Sequence, residues 1–333
     1  MHKVLIIHHN DRDGIVSAAI IHNMIKNNYI GSYENVVIEF SEQNYTKSFD
    51  DILPKQYACY YDEIYVVDYS PSSDDDIQWL IDVNNDEDVK LIWIDHHASS
   101  IKAEEKRPEL VNIVDGIRID GISAAALCYL YSIGFEEGLQ NIKRSHKSKV
   151  SPSFARKLLY EMNTPSCIIY THCWDIWDHS KKSPTPIYFN YGNRYDLQTW
   201  INRLKLDKVE LETLTISDID KGKENYDEIM RSNEKLCSDN GFETTLTVGG
   251  KTYTVFALNK IAGSSMLFGD RIEKYDLVSV FWYSGPDKCF RYSIYSKMRN
   301  GVDTSVIAGL LGGGGHPHAA GFRSDEMIYK PIN

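Results

Sequence analysis

The chain has 333 residues, 42% of them hydrophobic and 25% charged, and carries a formal net charge of −11. That length suits two domains better than one core, and the acidic balance excludes the broad basic face that grips long duplex DNA while leaving a short anionic substrate open. Cys59, Cys128, Cys167, Cys173, Cys237 and Cys289 are scattered with no C-x-x-C pair, which excludes a zinc ribbon or a disulfide framework as the organising device. No run approaches the roughly 20 apolar residues that span a bilayer, and the N-terminus lacks the long apolar stretch of a signal peptide. The expectation is a soluble, cytoplasmic protein without membrane contact.

In chain order, Val4 to Ile7 predicts a strand, and Val16, Ala19, Ile20 and Met24 recur at helical spacing behind Gly14. "EIYVVDYSP" and "VKLIWIDHHASS" repeat the pattern: strands over Ile64 to Val67 and Lys90 to Ile94, each running into polar residues. These apolar runs suit strands buried on both faces, as in a parallel sheet covered by helices. "DGISAAALCYLYSIG" predicts a helix ending at Gly134, and the basic stretch "KRSHKSKVSPS" (143 to 153) reads as a loop. The sparse apolar residues of 221 to 240 predict a polar helix joining two domains. Hairpins are expected around Gly249-Gly250 and around Ser284 to Lys288. Asp303 is placed to cap a helix through Leu310, ahead of "GGGGHPHAAGF".

Three of the strands end in ionisable groups: His9, Asp11 and Asp13; Asp68; and Asp95, His96 and His97. In a parallel α/β sheet, functional groups gather beyond the carboxyl ends of the strands. Carboxylates that repel one another can share such a cleft when cations neutralise them, and a mixed oxygen and imidazole set suits Mn²⁺ or a related divalent ion better than thiolate-loving zinc. Two ions bridged by one aspartate fit this number of ligands. Any single Asp or His in a loop is more often merely solvated, so the convergence carries the weight. Asp95 suits a supporting role, fixing an imidazole by hydrogen bond. His8 faces opposite to His9 on the strand and is assigned to packing.

The pattern resembles the DHH phosphoesterase superfamily, whose eponymous triplet stands here as Asp95-His96-His97. "HNDRDG" (9 to 14) resembles its first motif, "VVDYS" with Asp68 its second, and "WDIW" (174 to 177) its fourth. "SVIAGLLGGGGHPHAAGF" (305 to 322) is similar to the C-terminal DHH-associated domain. Within the superfamily the chain is most similar to the NrnB-type oligoribonuclease branch, whose opening "HNDLDG" differs at one position. The resemblance implies an α/β protein with a parallel Rossmann-like sheet domain, a smaller α/β DHH-associated domain and an active site in the cleft between them. The corresponding spans are 1–200 for the metal-binding catalytic domain, 201–240 for a helical linker and 241–333 for the substrate-binding domain.

It further implies two Mn²⁺ ions per chain, with Mg²⁺ or Co²⁺ as substitutes. His9 and Asp11 would hold the first, Asp13, His96 and Asp175 the second, and Asp68 would bridge them; His97 would face the phosphate with Asp95 behind it. Asp178 is the alternative to Asp175, and His172 a weaker candidate. Gly313, Gly314, Gly315 and His316 would receive substrate, since residues without Cβ let backbone N–H groups approach an anion. The family tends to carry "SLRSK" on the strand before this loop, whereas this chain has "SIYSK". Tyr295 thus replaces an arginine and offers stacking rather than bidentate phosphate contacts; Arg299 is the nearby substitute.

The implied activity is hydrolysis of short single-stranded oligoribonucleotides to mononucleotides through a metal-activated water, by a monomer or homodimer. The alternatives are a cyclic-dinucleotide phosphodiesterase, a nucleoside 3′,5′-bisphosphate phosphatase, or a non-catalytic protein that sequesters nucleotides. Lys143 to Lys149 could guide RNA, although such a charge run is more often a solvated loop. Trp174 and Trp177 could stack on bases, although aromatic residues at this spacing are more often packing.

Overall fold

The computed structural model describes residues 1–29, 35–44, 47–86, 88–179, 182–297 and 301–329. The chain divides into two compact units, Met1–Asn225 and Tyr226–Asn333. The division falls inside a long helix, Lys208–Asn240. This helix begins well before the expected 221 because Leu211, Thr215, Asp218 and Gly222 line up as a buried stripe at helical spacing.

In the first unit, β1 (His2–His9), β2 (Val36–Gln43), β3 (Glu63–Val67), β4 (Lys90–Asp95) and β5 (Asp115–Arg118) form a sheet in the order β2-β1-β3-β4-β5. Every pairing is parallel. Side chains alternate across it. Val4, Ile6, Tyr65, Val67, Ile92 and Ile94 enter one core cluster, while Leu5, Ile7, Ile64, Val66, Leu91 and Trp93 enter another. Both faces are therefore buried, as the unbroken apolar runs require. The chain leaves β1 for one neighbour, β2, and returns on the other side as β3, which puts a topological switch point beyond the carboxyl ends of β1 and β3.

Sequence reading misses β2 and β5. β2 is a half-exposed edge strand, and β5 spans only Asp115–Arg118. The stretch 143 to 153 is a correction. Lys143 to His146 form the last turn of a helix, Glu136–His146, and Pro152 opens the next, Pro152–Glu161, with Ser151 as its cap. Basic residues suit the negative end of a helix dipole, and Pro suits a first turn, so the composition that looks like a loop marks two helix termini. Lys143 does not face solvent at all: it is buried against Glu104 at 2.7 Å.

In the second unit, β6 (Gly241–Val248), β7 (Lys251–Asn259), β8 (Leu277–Ser284), β9 (Cys289–Tyr295), β10 (Gly314–His316) and β11 (Ala319–Ser324) make a mixed sheet in the order β10-β11-β9-β8-β7-β6. Both expected hairpins form, β6 with β7 across Gly249-Gly250 and β8 with β9. Asp303 caps the helix Thr304–Leu310 by accepting from the backbone amides of Ser305 and Val306. Among the described residues no helix is long and apolar enough to cross a membrane.

Candidate metal centre

Asp11 caps the helix Arg12–Asn28, its carboxylate accepting from the Gly14 amide at 3.0 Å. A methyl group on residue 14 would sit 2.2 Å from the His9 carbonyl oxygen, so only glycine lets this helix seat against the end of β1. The tight turn directs His9, Asp11 and Asp13 into the switch point. Asp68 follows β3 with φ of +54°, a left-handed conformation that Asp tolerates better than most residues. Its amide continues the ladder by donating to the Ile94 carbonyl at 3.0 Å.

The side chains converge. His9 Nδ1 lies 3.1 Å from Asp11 Oδ2 and 3.8 Å from Asp68 Oδ2. His96 Nε2 lies 3.4 Å from Asp68 Oδ1, 3.7 Å from Asp13 Oδ2 and 3.2 Å from Asp175 Oδ2. Three overlapping sets of ligand atoms each fall within 4.8 Å: His9, Asp11 and Asp68; Asp13, His96 and Asp175; and Asp68, Asp95, His96 and His97. Asp68 belongs to the first and third sets, and His96 to the second and third.

Neighbours hold these ligands from behind. Asp13 accepts from the amides of Ala124 (2.7 Å) and Ala125 (3.1 Å), so its carboxylate caps the helix Ala124–Ser132. That helix occupies Ala124–Ser132 within the expected stretch 120 to 134, its first amides held by a carboxylate from a distant part of the chain. Asp95 is buried between His97 Nδ1, at 2.8 Å, and the Ser100 hydroxyl, and thereby fixes the His97 ring. The fourth-motif aspartates part company: Asp175 meets His96, whereas Asp178 pairs with Arg156 at 3.0 Å. His172 is buried outside all three ligand sets, its Nδ1 accepting from the Ser123 amide at 3.1 Å; burial holds its pKa down to about 3. His8 is buried with its Nδ1 against the His9 carbonyl at 2.8 Å.

The electrostatics are those of a cluster awaiting positive charge. Burial, reinforced by Asp175, pushes the Asp13 carboxyl up to about 8. Asp68 is raised by burial and by the charge of Asp13, and Asp175 is raised by burial against the pull of His96. Asp11 goes the other way: burial is outweighed by the hydrogen bonds from His9 and Gly14, which bring it to about 2. His97, despite burial, is carried up to about 9 by the charge of Asp95. His96 Nε2 and Asp175 Oδ2 are buried and make no hydrogen bond among the described residues, an arrangement that costs free energy unless a ligand completes it. With oxygen and imidazole donors and no thiolate in the three sets, the residues fit a hard or borderline divalent cation.

A pH dependence follows for the metal-free protein. Asp13, raised from the ordinary 3.8 to about 8, keeps a proton in the folded state that the unfolded chain has already lost. The folded state then binds more protons, so stability falls as pH rises through that window. Raised Asp68 and Asp175 act in the same sense. So does His97, whose stabilising contribution is complete below 6.5 and is lost through about 9. His172, held down to about 3, acts in the opposite sense below about 6.5, so melting in the presence of a chelator should occur at lower temperature at about pH 8 than at about pH 6.5, with Mn²⁺ raising the midpoint more at about pH 8. A metal-free midpoint that climbs across this range would contradict the arrangement.

The second unit holds the expected substrate residues. Tyr295 donates its hydroxyl to the Gly263 carbonyl at 2.6 Å. Gly313 lies so close to β11 that a Cβ would stand 2.1 Å from the Gly321 carbonyl oxygen, whereas Gly314 faces open space. The glycine run thus has a packing reason at Gly313. Arg299 lies outside the described residues, as does the side chain of His316.

Sequence reading misses the Ala124 and Ala125 amides, which no residue type announces. It also misses Arg12, whose guanidinium donates to the Asn190 side chain and to the Asn190 and Asn193 carbonyls. The arginine in place of the leucine of "HNDLDG" is the available signal for that tie.

Fold and site together define an α/β domain with a candidate divalent-cation centre at the carboxyl edge of a parallel sheet. Residues 3–160 match the family model described as "DHH family, N-terminal domain". No curated protein matches in sequence. Among solved structures, the chain is similar to the DHH domain of a protein described as belonging to a family of ribosomal proteins, with 11% identity, a TM-score of 0.54, and 96% of this chain and 82% of that one covered. A pGpG-specific phosphodiesterase, PggH from Vibrio cholerae, aligns at 12% identity and TM-score 0.47 over 97% and 93% of the two chains. Exonuclease RecJ bound to manganese aligns at 13% identity and TM-score 0.47 over 97% and 86%. At such identities the first of these is a likeness of fold.

Proposed function

We propose that the protein is a metal-dependent phosphodiesterase that hydrolyses short oligoribonucleotides to mononucleotides. The observation that carries the reading is the sharing of ligands. The His9 and Asp11 set meets the Asp13, His96 and Asp175 set through Asp68 and His96, with ligand atoms close enough for a pair of ions, and all of these residues except Asp175 fall in the stretch 3–160 that matches the DHH-family model. Mn²⁺ is the preferred cation, with Mg²⁺ and Co²⁺ as substitutes. When bound, such ions neutralise phosphoryl charge and supply a water acidic enough to ionise near neutral pH.

The chain's own residues then have distinct tasks. His9, Asp11, Asp13, Asp68, His96 and Asp175 fix the position of the reacting phosphate by fixing the cations. Asp95 holds the His97 ring through Nδ1 at 2.8 Å, leaving Nε2 as that ring's remaining polar atom. With its pKa raised to about 9, His97 carries a proton at neutral pH and offers positive charge, or that proton, to the phosphate and the departing oxygen. In the second unit, Gly313, Gly314, Gly315, His316, Arg299 and Tyr295 are the proposed substrate-binding group. The Tyr295 hydroxyl is engaged with Gly263, so its contribution is the ring.

The test is an activity panel with Mn²⁺, Mg²⁺ and Co²⁺ against a labelled diribonucleotide, a cyclic dinucleotide and a nucleoside 3′,5′-bisphosphate. Release of mononucleotides from the diribonucleotide, lost on chelation and restored by Mn²⁺, is the expected result. Turnover of only the cyclic or bisphosphate substrate would overturn the substrate assignment. Tight nucleotide binding without hydrolysis of any of them would overturn the reaction.

A further inference from the structure

The helix Ser166–Asp175 ends at the candidate metal ligand Asp175, and the next turn gathers aromatic rings. Trp174 and His179 stack at a centroid distance of 4.9 Å with planes 12° apart. Trp177 lies 6.2 Å from Trp174 at 25° and 5.5 Å from His179 at 37°. Tyr191 meets Trp174 edge-on at 6.2 Å. The stack does not end in the core: Trp177 is 52% exposed. Its backbone adopts φ of +56°, a left-handed conformation that a bulky residue enters only when its surroundings impose it.

That turn is fixed rather than loose. The Trp177 amide donates to the Trp174 carbonyl at 3.2 Å and the Asp178 amide to the Cys173 carbonyl at 2.8 Å, while Asp178 is tied to Arg156. Strained backbone and a large apolar ring in water are both costly, and such strain concentrates where it serves a ligand. The exposed surface is a single ring, far below the ~1,200 Å² that a stable protein interface buries, but it matches the face of one nucleobase, which stacks on tryptophan irrespective of its identity. A single residue, Ile176, separates Trp177 from the candidate metal ligand Asp175.

We infer that Trp177, backed by Trp174 and His179, is a stacking platform for the base of a nucleoside phosphate whose phosphate is held at the adjoining centre; this rests on the nucleotide reading above. Trp177 is a binding residue and takes no part in bond cleavage. Because stacking is indifferent to base identity, the platform favours nucleotides as a class over other phosphate esters and does not select a sequence.

The test is calorimetric titration of AMP and of ribose 5-phosphate, its counterpart without a base, into the Mn²⁺-supplemented full chain and its variants. The wild type should bind AMP about tenfold tighter than ribose 5-phosphate. Trp177→Ala should reduce AMP affinity to that of ribose 5-phosphate and leave the latter unchanged, and Trp177→Phe should retain most of the AMP preference. Unchanged AMP binding in Trp177→Ala, or loss of both compounds by the same factor, would overturn the inference. A preference for AMP that depends on Trp177 in a protein inert towards every dinucleotide would support the platform while sinking the catalytic reading.

Discussion

Replacing Asp68 with asparagine is expected to lower phosphodiester turnover by about a thousandfold or more, the scale of losing several kcal/mol of charge stabilisation in the transition state. Asp68 touches both ligand groups: Oδ2 lies 3.8 Å from His9 Nδ1, and Oδ1 lies 3.4 Å from His96 Nε2. No other described carboxylate belongs to both the His9 set and the set containing His96 and His97. Asparagine preserves shape and tolerates the φ of +54°, where alanine would add backbone strain. It also removes a charge that Asp13 and Asp11 repel, so the metal-free variant should melt no lower than the metal-free wild type. The stabilisation conferred by Mn²⁺ should disappear with the turnover. Three measurements check this: kcat, calorimetric titration of Mn²⁺, and melting with and without chelator. Retained turnover, or an undiminished Mn²⁺ effect on melting, would remove Asp68 from the bridging position.

The second large effect concerns stability and lies behind the site. Glu104, buried on the helix Ala98–Lys106, accepts from Arg118 Nε at 2.6 Å and from Lys143 Nζ at 2.7 Å. Arg118 is itself buried, donating to the Trp93 carbonyl at 3.0 Å with its guanidinium 5.0 Å from the Trp93 ring centroid. Removing one partner of a buried ion pair strands the other's charge, which typically costs about 3–5 kcal/mol, whereas replacing the whole group with apolar side chains is often neutral. Glu104→Ala would strand two cations at once. Its unfolding free energy from denaturant titration should fall by about 3–5 kcal/mol, with a melting point lower by about 10 °C. The double variant Glu104→Ala/Lys143→Met should recover part of the loss, because one orphaned charge is gone. A loss in Glu104→Ala of less than about 1 kcal/mol, the range of exposed pairs, would show that water reaches these groups.

The two cases mark where sequence reading succeeds and where it stops. Strands flanked by ionisable residues are legible because burial on both faces writes continuous apolar runs, and because a parallel sheet sends its strand ends to one edge. That reasoning brings His9, Asp11, Asp13, Asp68, Asp95, His96 and His97 together, and the structure places them together. It cannot reach the Glu104, Arg118 and Lys143 group, whose members lie on separate elements and look like surface residues one at a time. Lys143 reads as part of a solvated basic loop for that reason. Nor can it anticipate that the helix Ala124–Ser132 is capped by Asp13, since the cap lies more than a hundred residues away. The distinction between Asp175 and Asp178 likewise needs coordinates: the two carboxylates sit on one turn, and only the positions of His96 and Arg156 separate them.

The close seating of Gly14 on the His9 carbonyl reaches beyond local packing. With no room for even a methyl group between helix and strand, the main chain from His9 to Gly14 has one seating, and the points from which the Asp11 and Asp13 side chains reach out are set by it. A substitution at Gly14 would therefore displace two carboxylates together without touching either of them.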